Sequence, residues 1–392
     1  MSNWRRWMAI PLPTRWAVCI WVILLVGVFS RVAVARTSAQ SVVPIYTLAG
    51  ERWWNGEPLY APPPVWMDVY RNPPGFAAIF APLSQLPPKL VGFGWRLFGI
   101  VLFAFGLRRF LSAVNPTPLS VGATATVWIL AAILILPAFN NGQVNLPMTA
   151  AMLLGTAAAV RENWWKASGW LMLAVWLKGY PIALAGLLML LTPARLGWRM
   201  PVVLLAFLAA PYGFQDGHYA WNQTAEFWHA TDCDDRSFAP IERTVKGWTY
   251  LSRVTTGDCV CRETTQLVAA ITGLCLAGIV FRAVRRNGAE PELYGRVFCA
   301  GLLWMVLFGP ATEGNTYSLL APVGWLIVGS NLGRRNTIIA CVGIGMLLVV
   351  MLRGIFPMHP GNTLASLQPL GAFLLIGVVV ADMLTRRQEP VL

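Results

Sequence analysis

A chain of 392 residues that is 56% hydrophobic and only 12% charged lies far from the roughly 25% charged residues of average soluble domains. Its apolar runs repeatedly approach bilayer length, which excludes a soluble globular class and reads as an all-α polytopic membrane protein. The net charge of +13 does not mark a nucleic-acid binder: the basic residues sit in short clusters between apolar runs, and no zinc finger or basic helix is visible.

Apolar length and charge flanks place about ten to twelve spans. The first covers 16–35, after Arg5, Arg6 and Arg15. It reads as an uncleaved anchor although Ala33-Val34-Ala35 matches a cleavage pattern. Further spans cover 91–107, closed by Arg108-Arg109, then 119–138 and 146–160. The apolar run 167–191 is interrupted by Lys178-Gly179-Tyr180-Pro181. Proline removes a helix hydrogen bond, so two short helices are expected to meet there at the floor of a cavity. The remaining spans cover 201–213, 264–281, 294–308, 316–329, 337–352 and 367–384. With a cytoplasmic N-terminus, the Arg pairs at 5–6, 108–109, 285–286, 334–335 and 386–387 all fall inside. The connecting segments 36–90, 139–145, 178–181, 214–263, 309–315 and 353–366 then fall outside. This is the positive-inside pattern of a multi-pass protein of a cell (inner) membrane with both termini cytoplasmic. Neither an internal repeat nor a linker interrupts 1–392, so a single membrane domain is expected.

Segment 36–90 is unlike the rest, being rich in proline and aromatics and holding Arg36, Glu51, Arg52, Glu57, Asp68 and Arg71. Charge is costly in a membrane protein, so its concentration in one segment marks a working surface. Asp68 and Arg71 stand three apart before Pro73-Pro74. Asn141-Gly142-Gln143-Val144-Asn145 offers amides on a glycine turn, Lys178 is a lone cation at the helix break, and Glu313 precedes Asn315 and Tyr317. Together they supply a carboxylate base, amides for hydroxyls and cations for phosphate. Each also has a structural alternative. Asp68 and Arg71 can simply pair, the Asn-Gly segment can be a plain turn, Lys178 can snorkel, and Glu313 can cap the next helix. Glu51 and Glu57 flank Trp53-Trp54 on an expected interfacial helix, and Asp382 near the inner end of the last span is expected to be solvated. Cys233, Cys259 and Cys261 share segment 214–263, where one disulfide of unassigned pairing can form. The three histidines lack ligand spacing, so neither a metal nor a cofactor is expected. Gly-rich phosphate loops, a Ser-His-Asp signature and an Asp-x-Asp motif are absent from the sequence.

An ordered set of short motifs resembles glycosyltransferase family 87. It comprises Ile45-Tyr46-x-x-Ala49, Trp54-x-Gly56-x-x-Leu59-Tyr60, Tyr70-Arg71-x-Pro73-Pro74, Pro82-Leu83, Leu86-Pro87, Gly142-Gln143-Val144-Asn145, Lys178-x-x-Pro181 and Glu313-x-x-x-Tyr317. The resemblance extends to about Pro322. It implies a GT-C bundle with an inverting transferase active on the non-cytoplasmic face. It also implies a polyprenyl-phosphate sugar donor, with mannose the first choice, and a lipid or glycan acceptor. The family's early acid would sit a few residues before Ile45-Tyr46, where this chain has Gln40-Ser41-Val42-Val43. Asp68, in the reactive segment beside the rigid Arg71-Asn72-Pro73-Pro74, is the first candidate base and Glu313 the second. Arg71, Asn141, Gln143, Asn145, Lys178 and Tyr317 form the candidate substrate-binding set, with the two cations for the donor phosphate. The missing acid motivates a rival reading, a non-catalytic degenerate transferase or a small-molecule or lipid transporter, for which Lys178 and Arg96 are the fitting charges.

Overall fold

The computed structural model describes residues 9–35, 41–310, 312–353 and 362–386, and every regular element among them is helical. Arg5, Arg6, Arg36, Gln40, His359 and Arg387 lie outside the described residues. Eight segments are long and apolar enough to cross a membrane: α1 (Leu12–Val34), α4 (Pro88–Val114), α5 (Val121–Asn141), Pro193–Gly213, α12 (Arg262–Asn287), α13 (Pro291–Phe308), α15 (from Arg334) and α16 (Leu367–Thr385). The protein is a multi-pass membrane protein. The Pro193–Gly213 span is irregular and contains α9 (Arg199–Ala209).

Two of the expected spans take a different form, and a third keeps the form expected of it. The run expected at 146–160 is α6 (Asn145–Val160), of which 14 of 16 residues are buried. It is the central post of the bundle, packed between α4 and α7 (Trp164–Leu177). Small residues allow that approach. A Cβ on Gly155 would stand 2.7 Å from Leu171, and one on Gly106 of α4 would stand 3.0 Å from the Ala150 carbonyl oxygen. The run at 167–191 divides as expected, into α7 and α8 (Ile182–Leu191), with Pro181 at the start of the second helix. The run at 316–329 is a 3₁₀ helix, Gly314–Gly324, followed by the short α14 (Trp325–Gly329). A 3₁₀ stretch beyond three or four residues is uncommon. Here Pro322 removes one donor, and Thr316 to Gly324 are all buried, so protein rather than lipid surrounds the irregular backbone.

Residues 41–90 are more ordered than a loop. They carry α2 (Val43–Asn55) and α3 (Pro74–Phe80). Tyr46, Ala49, Gly50 and Trp53 form the buried face of α2, at helical spacing. Gly50 lets α2 touch the backbone of α3, since a Cβ there would meet Phe80 C at 2.5 Å. Tyr46, Phe76, Phe80 and Trp95 seat both helices on α4 through ring contacts with centroids 4.8 to 5.9 Å apart. Of the expected interfacial Trp pair, Trp53 is buried and Trp54 exposed. The proline-rich stretch that follows has few regular backbone partners, and Arg52 supplies them, donating to the carbonyls of Leu59, Ala61 and Pro62.

Segment 214–263 forms α10 (Gly217–Cys233), capped by Asp216, and α11 (Trp248–Thr256). It clasps the first segment: Leu59 N–H donates to Gln223 Oε1 at 2.8 Å and the Tyr219 hydroxyl to the Glu57 carbonyl at 2.7 Å. Cys233, Cys259 and Cys261 are free thiols here.

At the end of the bundle carrying Arg109, Arg161 and Arg286, Asp382 departs from expectation. It is buried, not solvated, because Arg296 of α13 brings a charge into the bundle and Asp382 of α16 compensates it at 2.6 Å. Glu292 adds a second carboxylate at 2.8 Å and also pairs with Arg386. Removing one partner of a buried pair strands the other. Asp382→Ala is therefore expected to cost about 3 kcal/mol in detergent unfolding, the low end of the range because Glu292 still faces Arg296. Asp258→Ala on the exposed turn should stay within about 0.5 kcal/mol.

Candidate active site

At the opposite end, three distant segments are joined by a chain of ion pairs. Arg71 Nη1 donates to Asp68 Oδ2 at 2.7 Å and Arg71 Nε to Asp234 Oδ2 at 2.9 Å. Arg236 continues the chain, reaching Asp234 at 3.2 Å and Glu313 Oε1 at 3.1 Å. The start of the chain is positioned by Asn72, which donates to the Leu177 carbonyl at 3.2 Å and so sets Arg71 beside the end of α7. Its far end is positioned by Tyr317, a fully buried side chain whose hydroxyl donates to the Lys246 carbonyl at 2.7 Å, and by Lys246 N–H, which donates to Thr312 O at 2.7 Å. Glu313 itself begins the 3₁₀ helix, its N–H donating to Thr316 Oγ1 at 3.0 Å.

Lys178 caps α7, its ammonium 5.5 Å from the Tyr180 ring, within electrostatic reach of Glu313, Arg71 and Arg236. Tyr180 is in turn within reach of Glu313 and Tyr46, and its buried hydroxyl has no partner among the described residues. Gly142, at φ +71°, turns the chain out of α5 so that Asn145 starts α6. Asn145 is buried; its Nδ2 donates to Gln143 Oε1 at 2.7 Å and reaches Asn315 O at 3.5 Å, while its Oδ1 has no partner among the described residues. Val144 N–H meets the Tyr46 hydroxyl at 3.3 Å, and the Asn141 carbonyl accepts from Val42 N–H at 3.0 Å.

The structure thus brings Lys178, Glu313, Gln143 and Asn145 to one end of the bundle, around Tyr46 and Tyr180. It places Asp68 at the outer end of the ion-pair chain, with 62% of its side chain exposed against 45% for Glu313. Sequence reasoning passed over Asp234, Arg236 and Tyr180. The charged run Asp234-Asp235-Arg236 and the tyrosine inside the Lys-Gly-Tyr-Pro break were the signals for them.

A second feature lies on the other face of α2, where Pro44, Thr47, Leu48 and Glu51 look away from Tyr46. There α1, α2 and α4 border a half-open cavity of about 330 Å³. Ser41 and Val43, at the positions where the resemblance would put an acid, line it.

The sequence profile of glycosyltransferase family 87 matches residues 70–310, more than half of the chain. The chain belongs to glycosyltransferase family 87. No curated protein matches it. Among solved structures, the crystal structure of ArnT from Cupriavidus metallidurans bound to undecaprenyl phosphate is similar at 13% identity, covering 95% of this chain and 78% of that one, with a TM-score of 0.37. The family match takes in Arg71, Gln143, Asn145, Lys178, Asp234 and Arg236 and stops just before Glu313.

In this family 87 protein the ion-pair chain sets the acid limit of the site. Partial burial disfavours the charged form of Asp68, but the hydrogen bond and charge of Arg71 outweigh it and hold its pKa below the usual 3.8. Burial acts on Asp234 in the same direction, and Arg236 and Arg71 again outweigh it. A carboxylate with a lowered folded-state pKa contributes stability at neutral pH that is lost as pH falls through that lowered value. The tie between the segments should therefore survive to about pH 4 and fail only below it. Asp234→Asn cuts both links at once. Hydrogen exchange of residues 234–243, corrected for its intrinsic pH dependence, should be as fast in that variant at pH 7 as in the wild type below about pH 4. Equal protection of the two proteins at pH 7 would show that the ion pairs do not hold this segment.

Proposed function

We propose that this chain transfers a hexose, with mannose the first choice, from a polyprenyl-phosphate donor to a lipid or glycan acceptor. The reaction takes place on the non-cytoplasmic face of the cell membrane. The observation that carries this reading is the buried Tyr180 hydroxyl, without a partner among the described residues, within electrostatic reach of Glu313 and beside Lys178, with a second such atom, Asn145 Oδ1, at the same end of the bundle. A buried polar atom without a partner costs about 1–3 kcal/mol. A ligand bearing hydroxyls removes that cost.

The roles follow from position. The acceptor hydroxyl attacks the anomeric carbon as Glu313 takes its proton. The bond from that carbon to the phosphate oxygen breaks, and polyprenyl phosphate leaves with the bonding pair. A single displacement inverts the anomeric centre. Lys178, backed by Arg236, faces the charge that develops on the leaving phosphate. Gln143 and Asn145 hold sugar hydroxyls beside the Asn141 turn. Arg71 is engaged by two carboxylates, so its part is to hold the segments in register, with Asp68 as the exposed end of that tie and Tyr317 as an internal brace. The arginines at the far end, Arg108, Arg109, Arg161 and Arg286, support a cytoplasmic placement for that end and an opposite placement for the site.

One observation favours a second reading, a non-catalytic binder of lipid-linked sugar. Glu313 is ion-paired to Arg236 rather than free. Both readings meet the same test, with radiolabelled polyprenyl-phosphate mannose, a pool of membrane glycolipids and protein purified in lipid. Glu313→Gln should lower kcat by about 10²–10⁴-fold, the range for loss of a general base. Asp68→Asn should lower it by less than about 10-fold, as for a lost surface pair. The reverse order would move the base to Asp68. Donor binding by the wild type without any transfer would decide for the binder.

A further inference from the structure

The first helix of segment 214–263, α10, leaves two indoles uncovered: Trp221 is 64% exposed and Trp228 66%. Positions seven apart on a helix differ by about 20°, so the two rings share one face, with the exposed Ala225 between them. The other side chains of α10 sort into two further faces. Tyr219, Gln223 and Phe227 turn toward residues 41–90. The Tyr219 hydroxyl and Gln223 Oε1 meet the backbone of Glu57 and Leu59, and the Phe227 ring lies 6.1 Å from that of Tyr60. His218, Asn222, Glu226 and His229 are exposed and polar, with Asn222 Nδ2 3.2 Å from His218 Nε2. The helix thus has a protein face, a polar face and an indole face.

The start of α10 points to what covers the indoles. Only Phe214, Gln215 and Asp216 separate it from the membrane span Pro193–Gly213. Little of that span is buried, and it turns Val202, Leu205 and Leu208 outward, toward lipid. Tyr212 and Phe214 are exposed in the same way, so apolar side chains line the step from span to helix. α10 also packs on the last turn of the span, 210–213, and on α3. Indoles favour the boundary between hydrocarbon and water, where the ring is buried and the N–H stays wet. A polar stripe beside an apolar one is the pattern of a helix lying in that boundary.

We infer that α10 is an interfacial helix whose partner is the membrane surface. It lies in the membrane plane with Trp221 and Trp228 sunk among the lipid headgroups and the stripe of His218, Asn222, Glu226 and His229 in water. An upright helix would carry Trp228 about 10 Å farther from the span than Trp221. Asp234 follows the last residue of α10, so the two indoles set the height at which Asp234 and Arg236 stand over the membrane. This role goes beyond the transferase reading and does not depend on transfer.

Hydroxyl-radical footprinting of the full chain tests it, in phosphatidylcholine nanodiscs holding one chain each, so that a second copy cannot cover the helix. With rates normalised to intrinsic side-chain reactivity, Trp221 and Trp228 should both oxidise about 10-fold or more slowly than His229 on the polar face. Equal normalised rates for the indoles and His229 would overturn the proposal. Protection of Trp221 with Trp228 as reactive as His229 would stand the helix upright and overturn it as well. Trp221→Ser with Trp228→Ser should speed amide hydrogen exchange of residues 217–233 by about 10-fold or more in the same discs. Asn222→Ser with Glu226→Ser, on the polar face, should change that exchange by less than about 3-fold. Unchanged exchange in the tryptophan variant, or equal acceleration in both variants, would show that lipid does not hold the helix and overturn the proposal. Footprinting of the wild type carries the test where the tryptophan variant fails to fold.

Discussion

Arg236 is the residue on which the candidate site depends. It joins Asp234, one step from the first connecting segment through Arg71, to Glu313 at the head of the 3₁₀ helix. A guanidinium can do this because its fork presents several donors in fixed directions, so one side chain serves two carboxylates. The pairs themselves are partly exposed and individually weak. Their value lies in geometry. Together with the bond from Lys246 N–H to Thr312 O, they tie the segment 214–263 to Glu313.

The same physical demand, that charge in an apolar bundle be answered, organises the rest of the molecule. At the far end Arg296 is answered by Asp382 and Glu292, which binds α13 and α16 together and has a structural role. At the site, the pairs run through 214–263, and Lys178 stands over the Tyr180 ring. Beside α2, the acceptors of Arg96 among the described residues are carbonyl oxygens and a hydroxyl. Three buried or half-buried clusters thus differ in how far the protein itself completes them.

Irregular backbone collects at the same end. The break at Lys178–Pro181, the turn at Gly142 and the 3₁₀ helix from Gly314 all leave peptide groups pointing away from regular ladders. Lipid cannot satisfy such groups, so they must lie within protein. The segments 41–90 and 214–263 provide that cover, and Gln223, Tyr219, Arg52 and Asn72 spend their side chains on backbone carbonyls or amides. The two connecting segments therefore roof the bundle as well as carrying charges.

Apolar length and proline placement determined, without any tertiary information, the helical membrane class, the division of the 167–191 run and the position of most spans. These are local properties, readable over a window of one helix. The ordered motifs around Tyr70, Gly142 and Lys178 likewise contained the family. Two spans were misjudged in form because hydropathy cannot tell a helix buried in protein from one facing lipid. α6 is too short to span by itself and is hidden on all sides, and Thr316–Gly324 is apolar enough for a span yet wound as 3₁₀. Partners were decided only by the tertiary structure. Asp68 and Arg71 were legible as a pair three residues apart, but Arg71 finds Asp234 across 163 positions and Arg236 finds Glu313 across 77. Burial of Asp382 and the cations around Arg96 are of the same kind. A charge's partner depends on which helices the packing brings together, and hydrophobic periodicity carries no record of that.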